Sequence, residues 1–235
     1  MANGTQKTRI LNRLLSAVKS NGQGDSGTRP VLEQVILGIL REGTTSAKAE
    51  QAFRALQTSF FDWNEIRVSM VREVADVLAD LPDPDDRASR IINFLQEVFE
   101  TTYSFDLESL HKKGLKMAEK QLQRFQGVNP FAVAYAMQTA LGGHALPVDQ
   151  PMARVLRRLE LIPGDYDEAA RTSLEHLVPK AKGVHFCEAL TTVAHDYCHE
   201  TSPNCPACPV RDVCPTAKAN ATSKARSTAA KAKSR

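Results

Sequence analysis

Four thiols fall near the C-terminus in the spacing Cys198-x6-Cys205-x2-Cys208-x5-Cys214, with Pro206, Pro209 and Pro215 directly after three of them. Thiolates are soft ligands, and four of them can close one metal site. Zinc takes four thiolates tetrahedrally, usually through two close pairs of the C-x2-C type, whereas an iron–sulfur cluster is a larger object held by the same number of sulfurs. Only one C-x2-C pair is present here. The wide gap after Cys198 lets the chain pass around something larger than an ion, which favours a [4Fe-4S] cluster over zinc. The uneven distribution of the five cysteines is not that of a disulfide framework. Cys187 lies outside the ligand pattern and is expected to be a small buried side chain.

This spacing, at the end of a helical chain, resembles the [4Fe-4S] loop of the endonuclease III-like DNA glycosylases. A second likeness lies in Phe125-Gln126-Gly127-Val128-Asn129-Pro130-Phe131-Ala132-Val133-Ala134, which is similar to that family's helix-hairpin-helix signature L-P-G-V-G-x-K-T-A. Such a turn joins two helices tightly because glycine or asparagine reaches left-handed backbone angles cheaply. It leaves amide N–H groups at the start of the second helix to hold a phosphate without reading sequence. The resemblance implies that Gly127, Val128, Asn129 and Phe131 contact DNA, with Asn129 in the left-handed region in place of a second glycine and Pro130 at the first helical position, one N–H short. A third likeness is Leu146-Pro147-Val148-Asp149-Gln150-Pro151-Met152-Ala153-Arg154-Val155, similar to the segment V-D-x-x-V-x-R-V that carries the family's catalytic aspartate. Asp149 falls at that place. Read without the family, it is an ordinary helix N-cap; read with it, its carboxylate steadies the cation-like sugar or orients water as an N-glycosidic bond breaks.

The departures bear on mechanism. Bifunctional relatives use a hairpin lysine as nucleophile, and Phe131 stands at that position. Lys120 is too far along the preceding helix to be assumed a substitute. Gly43 falls where relatives often place a glutamine that fills the gap left by a flipped nucleotide. Between Cys198 and Cys205 there is no Lys or Arg, so Arg211 is the one base inside the cysteine loop and the expected DNA contact there.

The elements that must position these residues are helical. Ile10, Leu11, Leu14, Leu15 and Val18 make one apolar stripe, and Val31, Leu32, Val35, Ile36, Ile39 and Leu40 make a second behind Pro30. Ala47 to Leu56 reads as a helix. Asp83 as cap and Pro84 at the first position open a helix through Ile91, Leu95 and Phe99, and Asp106 opens a short one through Leu110. Met152, Val155, Leu156 and Leu159 form one later stripe, and Phe186, Leu190, Val193 and Tyr197 another. No run alternates over strand length, so the fold class is all-α. The resemblance implies two lobes around a DNA-bearing cleft. One is a central helical barrel, 30–144, ending in the hairpin, and the other combines 1–29 with 145–215 and the cluster loop.

The 235 residues, 42% hydrophobic and 6% aromatic, fit one large or two small globular domains and exclude collagen, coiled coil and wholesale disorder. Six of the 30 bases lie in 216–235 with no acid, which leaves 24 bases against 27 acids before it. That Ala/Lys/Ser/Thr tail is expected to be a disordered basic arm. The longest apolar run, Val35 to Leu40, is far short of a membrane span, and no apolar stretch follows the N-terminal residues, so no membrane, no secretory signal and a cytoplasmic location, nucleoid-associated if the source is bacterial, are expected. The expectations are then a base-excision DNA glycosylase without lyase activity, Asp149 as catalytic acid, Cys198, Cys205, Cys208 and Cys214 holding a [4Fe-4S] cluster, and double-stranded DNA as partner. A monomer with no nucleotide cofactor is expected too. The rivals are a non-catalytic DNA-binding protein of the same fold and a zinc-bound helical adaptor.

Overall fold

A computed structural model describes residues 3–18 and 29–219. The glycine-bearing linker 21–27 and the tail beyond residue 219 lie outside the described residues. Among those described there is no strand. The helices in order are α1 (Gly4–Ala17), α2 (Val31–Arg41), α3 (Ser46–Ser59), α4 (Trp63–Val68), α5 (Val71–Val77), α6 (Pro84–Thr102), α7 (Leu115–Leu122), α8 (Pro130–Thr139), α9 (Gln150–Arg158), α10 (Glu168–Leu177) and α11 (Gly183–Asp196). No described helix is long and apolar enough to cross a membrane. The chain divides into two compact units, Asn21–Asp149 and Met1–Ser20 with Gln150–Arg235. The division falls after Asp149, which places that residue with the hairpin.

The Asn21–Asp149 unit is built around α2. Val31, Leu32, Val35, Ile36, Leu37, Ile39 and Leu40 are all essentially inaccessible, and a helix with apolar residues around most of its circumference must be enclosed. Gly38 lets α8 close in: a Cβ there would lie 3.0 Å from the Cα of Ala132. This approach carries the C-terminal end of α2 toward the start of α8. Phe53, Leu56, Phe94, Leu95 and Val98, from α3 and α6, belong to the same core.

The other unit packs the Ile10, Leu11 and Leu14 stripe of α1, Met152, Val155 and Leu156 of α9, and Phe186, Leu190 and Val193 of α11 as buried side chains. Cys187 is buried as expected. Three expectations about elements change. Asp83 precedes α6 with a left-handed backbone (φ 51°) and no side-chain cap bond, so Pro84 alone starts that helix as predicted. The segment after Asp106 is a 3₁₀ turn, Glu108–Lys112, in which Asp106 accepts from the Glu108 N–H at 2.7 Å. Residues 215–219 are helical rather than disordered: the Thr216 hydroxyl donates to the Arg158 carbonyl at 3.1 Å and Ala217 is buried.

Candidate active site and cysteine loop

Asp149 is 7% exposed, and its Oδ2 accepts from the Gly43 N–H at 2.9 Å across 106 residues of sequence. Gly43 is there for its backbone: φ is +68°, while an added Cβ would meet only Arg87 Nη2 at 3.8 Å. The left-handed turn after α2 therefore aims an amide at the carboxylate, a role that the reading of Gly43 as a missing wedge did not contain. Arg87 fixes the same turn. It is buried, its Nε donates to Pro82 O at 2.7 Å, and its two terminal nitrogens donate to the carbonyls of Ile39 and Glu42. A cation on the last carbonyls of α2 suits the negative end of that helix. Burial lowers the guanidinium below its ordinary value, the Glu42 carboxylate acting against that.

The hairpin lies between α7 and α8. Gly127 has φ +78°, and a Cβ there would sit 2.2 Å from the carbonyl oxygen of Arg90, so the α6 backbone rests directly on the turn. Asn129 departs from expectation. Its φ and ψ are −97° and 172°, extended rather than left-handed, because it is the N-cap of α8: Oδ1 accepts from the Ala132 N–H at 3.0 Å. The left-handed step belongs to Gly127 alone. Pro130 takes the first helical position, as predicted. Gln126 N–H donates to Glu97 and Val128 N–H to Phe125 O. The amides of Gly127, Asn129 and Phe131 have no acceptor among the described residues. Phe131 is 7% exposed and stacks on Tyr135 with ring centroids 6.5 Å apart. Lys120 is exposed on α7.

Glu42 and Arg90 join these parts. Glu42 Oε2 accepts from Arg90 Nη1 at 2.9 Å and from Asn129 Nδ2 at 2.6 Å, and Arg90 Nε donates to Gly127 O at 2.9 Å. Neither residue was found from sequence, since the partners lie tens of residues apart and share no local pattern. The hairpin, the turn after α2 and Asp149 thus form one hydrogen-bonded assembly within one unit.

In the other unit, all four loop cysteines are half-buried thiols. Arg158 Nη1 donates to Cys198 Sγ at 3.2 Å and to His199 O at 2.8 Å, and its Nη2 donates to Glu200 O at 2.9 Å. Arg154 Nε donates to Cys198 O at 2.8 Å, and Cys214 Sγ reaches the Arg158 carbonyl at 3.5 Å. These arginines are spaced one helical turn apart on α9, a signal the sequence offered and the apolar stripe obscured. Burial pushes the Cys208 and Cys214 thiols up, and charge on the neighbouring thiols adds to it. Among the described residues no group of three or more His, Cys, Asp or Glu is placed to hold a metal ion. Arg211 is exposed, with Nη1 donating to Pro206 O at 2.8 Å.

No family model matches this chain. It is similar to DNA glycosylase/AP lyase ROS1 of Arabidopsis thaliana, 26% identical over 194 residues that make up 75% of this chain and 14% of that protein. A putative DNA glycosylase of the same plant is 21% identical over 150 residues, 64% of this chain and 51% of its own length. The chain therefore spans only part of each. Its structure matches an endonuclease III–DNA trapped covalent intermediate with a TM-score of 0.72 at 18% identity, over 94% of this chain and 99% of that one. It also matches a thermostable thymine-DNA glycosylase with a TM-score of 0.68 at 19% identity, over 91% and 97%. The all-helical fold of this chain is the one seen in the endonuclease III and thymine-DNA glycosylase structures.

Proposed function

We propose that this chain is a base-excision DNA glycosylase that hydrolyses the N-glycosidic bond and has no lysine-dependent lyase step. The observation that carries the reading is the Asp149 carboxylate, nearly buried and held by the Gly43 N–H within the unit that also holds the hairpin. As the bond between C1′ and the base nitrogen breaks, its electron pair leaves with the base and positive charge grows on the sugar. A fixed carboxylate stabilises that charge and orients the water whose oxygen bonds C1′, the water's proton ending on the departed base so that charge balances. The hairpin supplies the DNA contact: the amides of Gly127, Asn129 and Phe131 have no acceptor among the described residues, and they stand at the positive end of α8, where a phosphate is favoured. Phe131 offers no amine for a Schiff base.

Cys198, Cys205, Cys208 and Cys214 are the residues that would hold a [4Fe-4S] cluster. Their fit rests on four soft donors in one loop and on the Arg158 N–H directed at Cys198 Sγ, the kind of contact that orients a ligand from outside. Such a cluster would supply a rigid anchor or a DNA-sensing centre for the loop rather than the site of bond cleavage. Arg158 and Arg154 shape the same segment through the carbonyls of 198–200.

The test is a panel of lesion-bearing and mismatched duplexes. Abasic sites that become nicks only after alkali, no adduct on borohydride reduction, and loss of release in Asp149→Asn are expected. Nicking without alkali removes the monofunctional reading. Duplex binding with no base released on any lesion favours the non-catalytic DNA-binding protein instead.

A further inference from the structure

We propose that Glu42 is a positioning residue that couples the hairpin to Asp149, an inference that rests on the glycosylase reading above. Its carboxylate takes hydrogen bonds from both sides of the turn, directly from Asn129 Nδ2 at 2.6 Å and from Arg90 Nη1 at 2.9 Å, whose Nε holds Gly127 O. Its own carbonyl is held by Arg87. The next peptide N–H, that of Gly43, is the one on Asp149 Oδ2. A hairpin that shifts on taking a phosphate therefore moves the Glu42 carboxylate, and the peptide after it moves with respect to the catalytic acid.

The arrangement is stiff where such a relay must be stiff. Gly127 has no room for a Cβ against Arg90, so turn and α6 move together. Among the described residues, Arg90 Nη2 is buried without a hydrogen-bond partner, and the one other carboxylate paired with its Nη1 is Asp86 at 3.5 Å, on a side chain 65% exposed. Arg90 thus depends on Glu42 for its main counter-charge. The Glu42 carboxylate is taken up by Arg90 and Asn129, so it acts through Gly43 and through Asn129.

The experiment uses the full chain and the lesion duplex that the panel identifies, with single-turnover base release and duplex affinity measured separately. Glu42→Ala is expected to slow release about 100-fold, the loss that a small misplacement of a catalytic group brings. Duplex affinity should change by less than about threefold. Glu42→Gln, which keeps an oxygen for Asn129 and Arg90, should recover about tenfold of that loss. Should Glu42→Ala fail to fold, Glu42→Gln and Arg90→Lys are compared with the wild type, and both are expected to slow release at unchanged affinity. An unchanged release rate, or a loss confined to affinity, reduces Glu42 to a brace for the hairpin and overturns the coupling. A wild-type chain that releases no base fails earlier and separately, at the glycosylase reading itself.

Discussion

At the scale of single residues, two left-handed glycines do different work. Gly127 is required by space as well as by angle, since a methyl group would collide with the backbone of Arg90 at 2.2 Å. Gly127→Ala is expected to cost about 1–3 kcal/mol from the backbone angle alone, with the collision added to it, seen as a lower urea midpoint. Gly43 is required by angle only, and its amide meets Asp149 Oδ2. A glycine in a sequence says that a side chain is absent. Whether the reason is a turn, a collision or a pointed N–H is decided by partners many residues away, which is why the Gly43 N–H on Asp149 had no signal in the sequence.

At the scale of elements, the apolar stripe of α2, Pro84 at the start of α6 and Pro130 at the start of α8 could all be read from local pattern, because each is decided by residues within a turn or two. The Asn129 turn could not. Asparagine tolerates both the left-handed region and the N-cap position, and the choice is made by Ala132 N–H on one side and Glu42 on the other. The short helices α4 and α5 were also missed, being too brief to show a period. Gly38 sets how closely α2 and α8 approach. Gly38→Ala is expected to push the two apart, costing about 1–3 kcal/mol by overpacking, and to lower base release through the loosened Glu42–Asn129 contact; denaturant unfolding and single-turnover kinetics measure the two effects.

At the scale of the whole molecule, the two kinds of chemistry lie in separate units, the carboxylate and hairpin in one and the cysteine loop in the other. Anaerobically purified protein is expected to contain iron and acid-labile sulfide in equal amounts. Replacing any of Cys198, Cys205, Cys208 or Cys214 by Ala should lower both, whereas Cys187→Ala should leave both intact; zinc without sulfide would point to the adaptor. The segment beyond residue 219 carries Lys224, Arg226, Lys231, Lys233 and Arg235 and no acid. Deleting it from Asn220 onward, so that the helical stub at 215–219 is kept, should flatten the salt dependence of duplex binding by about 4–5 units if every base meets a phosphate. An unchanged slope assigns the tail another purpose.

The enclosure of α2 has a consequence for how its unit opens. Val35 to Leu40 are buried without exception, so their peptide hydrogens have no route to deuterium through fraying at an edge. They are expected to be the slowest to exchange in that unit, at a rate set by its global unfolding, and the peptides after them, which lead to Gly43, inherit a floor that does not breathe.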